Sequence, residues 1–187
     1  MRCFGDGDAL YERYHDEEWG KPVGDERGLF ERISLEAFQS GLAWITILRK
    51  REGFRRAFAG FDPDVVAAFG PEDVERLLAD AEIVRNRAKI EATIGNARAT
   101  LALRATGTPL EELVWSFAPA AAAAPPSLED VPAQTEQSRV LAKTLKTAGF
   151  RFVGPTTAYA AMQACGVVND HVAGCPVRSR TDAARRR

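Results

Sequence analysis

The chain has 187 residues, of which 45% are hydrophobic and 27% charged, and its formal net charge is −1. That length suits one large domain or two packed lobes with enough chain to bury a core, and the composition is that of an ordinary soluble globule. No apolar run approaches the roughly 20 residues of a spanning helix, the start MRCFGDGDAL has neither part of a signal peptide, and three cysteines suit a reducing compartment better than a disulfide framework, so the expected location is the cytoplasm with no membrane partner.

In chain order, residues 6–19 read as a loop passing into a short helix that carries Tyr11, Tyr14, His15 and Trp19. From Asp25 a second helix places Leu29, Ile33 and Ala37 on one apolar stripe, and Glu36 lies on that same stripe. A carboxylate there is either at the rim, paired with an arginine, or held inside for a purpose, because burying its charge alone is costly. Gly41 breaks the pattern, and residues 42–58 resume it with Trp44, Ile47 and Leu48 on one side and basic residues on the other. Asp62-Pro63 and Gly70-Pro71 open two short helices, residues 85–103 form the longest amphipathic segment, and residues 110–117 form a brief one. APAAAAAPPS from Ala118 reads as a connector or surface loop. Residues 134–146 form a helix that enters a glycine turn at Gly149 to Gly154, and Pro155 opens the next helix. No strand alternation appears, so the fold class is all-α. One domain spans 1–177, followed by a basic tail at 178–187 that is expected to be disordered.

Three clusters carry candidate chemistry. The free amides that begin the helix at Pro155 favour an anion such as phosphate. Cys3 and His15 near one end, with His171 and Cys175 near the other, contain both histidines of the chain. His171 and Cys175 have the spacing of one helical face, while Cys165 reads as a small core residue. The four residues form either a tetrahedral zinc set without an open position, hence structural, or two unrelated pairs, and spacing leaves both readings open. Phe4, Tyr11, Tyr14, Trp19 and Trp44 are either core or, gathered around Glu36, the walls of a pocket for a flat, electron-poor base. Charge is uneven: residues 49–56 and 178–187 each carry +4, leaving −9 elsewhere. Such a patch is either a solvated face or a local footprint for a polyanion.

These residues stand in strings that resemble a known family. CFGDGDALYERYHDEEWG, LFERISLEAFQSGLAWITILRKRE, FDPDVVAAF, IVRNRAKIEATIGNAR, VWSF and KTAGFRFVGPTTAYAAMQACGVVNDHVAGC, in that order over about residues 2–176, are similar to the type I DNA-3-methyladenine glycosylases of bacteria. The resemblance implies a helix-hairpin-helix DNA glycosylase fold whose N- and C-terminal segments are joined by one structural Zn2+ on Cys3, His15, His171 and Cys175. It implies a base-excision repair enzyme, expected to act as a monomer, that flips 3-methyladenine out of alkylated double-stranded DNA and releases it as the free base. It gives Glu36 the recognition and catalytic role, Tyr14 and Trp44 the base faces, and Tyr11 and Trp19 the rest of the wall. Phe4, where relatives often have Trp, keeps an aromatic near the base. Leu42 falls at the wedge position with Gln39 beside it. Phe152, Val153 and Gly154 form the phosphate-binding hairpin, helped by basic groups such as Arg49 or Lys50. Many helix-hairpin-helix glycosylases have a catalytic Asp where this chain has Asn169. Two other readings of the residues are a non-catalytic DNA-binding module and a zinc-dependent hydrolase using His171 and Cys175 among three ligands.

Overall fold

Polar side chains decide where five of the ten helices among the described residues begin. Asp8 accepts hydrogen bonds from the amides of Leu10 and Tyr11 and starts α1 (Ala9–Glu17); Asp25 accepts from Gly28 and starts α2 (Glu26–Gln39). Asp62 and Asn86 do the same for α4 (Pro63–Ala67) and α6 (Arg87–Ala105), and Thr135 and Ser138 cap each other reciprocally at the start of α8 (Glu136–Thr147). The other helices are α3 (Trp44–Ala57), α5 (Pro71–Ala79), α7 (Leu110–Trp115), α9 (Pro155–Ala164) and α10 (Arg178–Arg185), with single 3-10 turns at Ala59–Phe61 and Leu128–Asp130. This computed structural model describes residues 2–120 and 123–185, and among them there is no strand and no helix long and apolar enough to cross a membrane.

α2 is the axis of the molecule, packing against α3, α6, α7 and α9. Its second half is enclosed on every side, since all six residues from Ile33 to Phe38 are buried. Below it lies a phenylalanine core. Phe30, Phe38, Phe54, Phe58 and Phe61 are each 0% exposed, and Phe38–Phe54, Phe58–Phe61 and Phe30–Phe61 have ring centroids 4.6, 5.6 and 6.1 Å apart. Each such ring contributes roughly 1.5–3 kcal/mol by leaving water. A helix gripped this completely holds its C-terminal residues at fixed depth, which positions Glu36.

Two expectations from sequence are corrected. Residues 178–185 are not disordered but form α10, because its cations find buried carbonyls: Arg178 donates to the carbonyls of Asn169 (3.0 Å) and His171, and Arg185 donates to that of Val167 (2.7 Å). Asp182 accepts from the Asn169 amide at 2.7 Å, and Thr181 is buried. The last part of that expectation, residues 186–187, lies outside the described residues. His171 and Cys175 also do not share a helix. They flank a turn closed by the Cys175 amide on the Val172 carbonyl at 2.9 Å, which brings both side chains inward without helical periodicity.

The connection after α9 approaches the segment after α1 so closely that only glycine fits. Gly166 has φ +72°, and a Cβ there would lie 2.5 Å from the Gly20 carbonyl oxygen. Gly166→Ala is expected to destabilise the fold by roughly 2–4 kcal/mol in equilibrium denaturation, since both backbone strands must part. A loss below about 1 kcal/mol would show that the approach relaxes freely.

Candidate active site

Glu36 is buried, 6% exposed, and neither ion-paired nor hydrogen-bonded among the described residues. Burial pushes its carboxyl up to about 8, with the positive charge of Arg32 pulling weakly the other way. Its charge also reaches two phenols, adding to burial in raising both Tyr11 and Tyr14, so the carboxylate lies near those side chains. Tyr14 lies 5.3 Å from the Trp44 ring and 6.5 Å from Tyr11, and the Trp44 indole nitrogen is buried with no acceptor among the described residues. One uncompensated acid, one free N–H donor and three flat faces therefore converge between α1, the end of α2 and the start of α3. Such a set recognises a planar ligand that brings donors and positive charge.

Trp19 and Phe4 stand further back. Trp19 packs edge-on against His171 (4.7 Å) and Phe4 (5.0 Å), and no close ring pairing joins it to Tyr14 or Trp44. Phe4 packs near Tyr11 (4.9 Å), Tyr14 (6.4 Å) and His15 (4.9 Å) by ring centroids, so it links the two tyrosines to the place where the chain ends meet. A separate cavity of about 440 Å³, lined by Pro125, Tyr159, Met162, Asp170 and Arg178, contains none of these rings.

At the meeting of the ends, Cys3, His15, His171 and Cys175 place their donor atoms within 4.8 Å of one another. Cys3 Sγ is 3.5 Å from His171 Nδ1, and Cys175 Sγ is 3.4 Å from that atom and 3.5 Å from His15 Nε2. The opposite ring nitrogens are occupied: His15 Nδ1 meets the Asp16 carboxylate at 2.8 Å and His171 Nε2 meets the Trp19 carbonyl at 3.0 Å. Those outer acceptors take the ring N–H groups, so the inner nitrogens carry lone pairs: that of His171 lies beside both sulfurs, and that of His15 accepts from the Cys3 amide at 3.2 Å while lying beside Cys175 Sγ. Asp16 is itself held by Arg2, which lowers it to about 2. Burial drops the His171 imidazole to about 4 and raises the Cys3 thiol. The group could hold a soft divalent ion.

Two protruding turns complete the surface. Gln39 ends α2, and the following Ser40, Gly41, Leu42 and Ala43 are exposed, Leu42 to 41%. Between α8 and α9, Phe152 projects at 40% exposure with φ +57°, while Val153 points into the core at 1%. Gly154 leaves α9 without a side-chain cap, so the first amides of that helix stay free of side-chain partners. The basic cluster at 49–56 is not a free patch. Arg49 pairs with Asp8 (2.6 Å), Lys50 donates to the Ala81 carbonyl (2.7 Å), and Arg51 grips Glu18 (2.5 and 2.9 Å). Arg55 and Arg56 pair with Glu31 and Glu82.

Known proteins match this arrangement over most of their length. A family model described as methyladenine glycosylase matches residues 4–179. The chain belongs to the methyladenine glycosylase family. It is 53% identical over 171 residues to DNA-3-methyladenine glycosylase 1 of Escherichia coli (strain K12), covering 90% of this chain and 91% of that one. To DNA-3-methyladenine glycosylase of Haemophilus influenzae (strain ATCC 51907 / DSM 11121 / KW20 / Rd) it is 44% identical, covering 91% and 94%. A solved 3-methyladenine DNA glycosylase I from Staphylococcus aureus, studied for 3-methyladenine recognition, superposes with a TM-score of 0.90 at 32% identity, covering 94% and 95%.

In this methyladenine glycosylase the polar groups of Asn169 and Asp170 are held by protein partners. Asn169 is buried, its carboxamide joining Asp182, the Arg178 carbonyl and the His171 amide, and the Asp170 carboxylate accepts from Tyr159 (2.7 Å) and Gln163 (2.8 Å). Sequence reasoning missed several other residues of this methyladenine glycosylase. Lys143 and Lys146 share a shallow groove with Pro155, beside the free amides of α9. Buried Asn96 clamps the hairpin by accepting from the Arg151 amide (2.7 Å) and donating to its carbonyl (3.1 Å). The signal available for Asn96 was a polar residue among Ile90, Ile94 and Ala97 on the inner side of α6.

Proposed function

We propose that the chain excises 3-methyladenine from alkylated double-stranded DNA as a cytoplasmic monomer. The observation that carries this reading is Glu36, a buried carboxylate without a partner, near Tyr11 and Tyr14 in a member of this family. Adenine alkylated at N3 is a cation. An ionised Glu36 opposite its edge, with Tyr14 and Trp44 against its faces and Tyr11 completing the wall, recognises charge and planarity together. When the bond from C1′ to the base breaks, its electron pair neutralises the departing base, the sugar takes on oxocarbenium character, and water adds at C1′ and releases a proton to solvent. The leaving group is already activated, so less catalytic push is required, and an Asn at position 169 is compatible with turnover. Trp19 and Phe4 support this wall from behind.

Outside the pocket, Leu42 enters the base stack with Gln39 beside it, in the manner of apolar wedges. The helix-hairpin-helix formed by α8 and α9 holds the backbone through the amides after Gly154, with Phe152 at the tip and Val153 as its inner anchor. Lys143 and Lys146, rather than Arg49 or Lys50, supply cations there. Duplex affinity is expected to fall linearly with salt on logarithmic axes, and Lys143→Ala and Lys146→Ala each to reduce that slope by about one. Affinity that stays flat from low to high salt in a titration would overturn the phosphate seat.

Cys3, His15, His171 and Cys175 fit a zinc ion. A tetrahedral ion with bonds of about 2.3 Å to sulfur and 2.0–2.1 Å to nitrogen holds S and N about 3.5 Å apart, and three of the four S···N separations of the cluster are 3.4–3.5 Å. Four protein donors suit a structural ion and disfavour a hydrolytic one that keeps a position for water. The ion, when bound, would tie the first residues to the turn between α9 and α10, and Phe4, braced by Trp19, would transmit that constraint to Tyr11 and Tyr14.

A further inference from the structure

The turn between Glu36 and Trp44 is held by a residue far away in sequence. Lys89, in the first turn of α6, is 8% exposed, and its Nζ donates to the Phe38 carbonyl at 2.9 Å and to the Ser40 carbonyl at 2.6 Å. Between these, the Gln39 carbonyl accepts from the Leu42 amide at 2.6 Å. Every carbonyl from Phe38 to Ser40 is thereby committed, two of them to one ammonium. No carboxylate pairs with Lys89 among the described residues, and the last turn of α2 has no basic residue of its own. The positive charge is instead met by the negative end of α2, where the final carbonyls lack partners within the helix. This turn projects Leu42 into solvent, turns at Gly41 with φ +83°, and lies one helical turn beyond Glu36.

We infer that Lys89 is a positioning residue for base flipping: by tying the Phe38 and Ser40 carbonyls to α6, it fixes the Leu42 turn at a set distance from Glu36 so that wedge and base pocket engage DNA together. The inference rests on the reading of Leu42 as the wedge. A side chain entering stacked bases meets resistance, and a turn whose peptide groups are free to rotate yields to it. A turn fixed through charge-assisted hydrogen bonds transmits the load to the core. Lys89 touches neither base nor sugar, so its effect belongs to duplex substrate and is absent from binding of the free base.

The test compares wild type, Lys89→Met, Leu42→Gly and the double variant, measuring single-turnover release of 3-methyladenine from methylated duplex alongside the Kd for free 3-methyladenine. Lys89→Met is expected to slow release about tenfold while the free-base Kd stays within about twofold. Added to Leu42→Gly, the same change is expected to matter less than about twofold, because the element it positions is gone. Undiminished release by Lys89→Met overturns the inference, as does an equal tenfold loss on top of Leu42→Gly or a parallel loss of free-base binding. If Lys89→Met fails to fold, Lys89→Gln, which keeps a neutral donor, is judged by the same criteria. Unchanged release by Leu42→Gly alone overturns the wedge reading and this inference with it; a slowed Leu42→Gly beside a fully active Lys89→Met overturns only the inference.

Discussion

Glu36→Gln is expected to reduce 3-methyladenine release from methylated duplex by roughly 10²–10³-fold, the scale on which a preorganised electrostatic group acts in an enclosed site. The fold and metal content are expected to survive, since the carboxylate makes no hydrogen bond to another described residue whose loss would strand a partner. The pH dependence separates charge from shape. With the carboxyl at about 8 in the free protein, kcat/KM for wild type is expected to rise about tenfold per pH unit below that value and level off above it. Glu36→Gln is expected to be flat over the same range. The sign for stability runs the other way. From the ordinary value of 4.5 up to about 8, the unfolded chain has released this proton while the native state retains it, so the contribution of Glu36 to stability falls as pH rises through that window. Glu36→Gln is therefore expected to melt above wild type at pH 8. Full activity of Glu36→Gln would show the charge to be dispensable, and full activity of Glu36→Ala would remove the residue from the mechanism.

Removing one ligand of the chain-end cluster is the second large effect. His171→Ala is expected to abolish stoichiometric zinc binding and lower stability by at least about 3–5 kcal/mol, because it empties a fully buried position and removes the ion's contribution to folding. Chelation of wild type is expected to lower the melting temperature and, in step with it, free 3-methyladenine binding, since Phe4 packs on both His15 and the Tyr11–Tyr14 pair. Zinc content by elemental analysis with thermal unfolding measures both. A protein that carries no zinc, or loses it with no change in melting, would reduce the cluster to a packed core of thiols and imidazoles.

The two changes act through different parts of one wall. Tyr14 is common to both, touching Phe4 on one side and Trp44 on the other while it feels the charge of Glu36. Loss at Glu36 is expected to remove recognition and leave the wall standing, whereas loss at His171 is expected to loosen the wall and leave the acid in place. Free-base binding is expected to weaken in both variants, while the melting temperature at neutral pH falls only in the second.

Local rules carried the fold a long way. Helix periodicity and the caps at Asp25, Asp62 and Gly70-Pro71 located the helices to within a few residues, because these signals act between neighbours in the chain. Glu36 stood out as a carboxylate on an apolar stripe, and the two cysteines and two histidines stood out by composition. The sequence by itself determined the all-helical architecture, the suspicious acid and the inventory of soft ligands, since each rests on residue type and short-range spacing. Only the tertiary structure decided what those residues meet: that Lys89 holds the turn after Glu36, that Asn96 clamps the hairpin, and that Trp19 supports the chain-end cluster. It also decided that Arg49, Arg51, Arg55 and Arg56 pair with carboxylates rather than form a free patch, and that Arg178 to Arg185 form a docked helix. An arginine at the surface and an arginine bound to a buried carbonyl are the same letter. The difference is made by partners dozens of residues away, which no local pattern records.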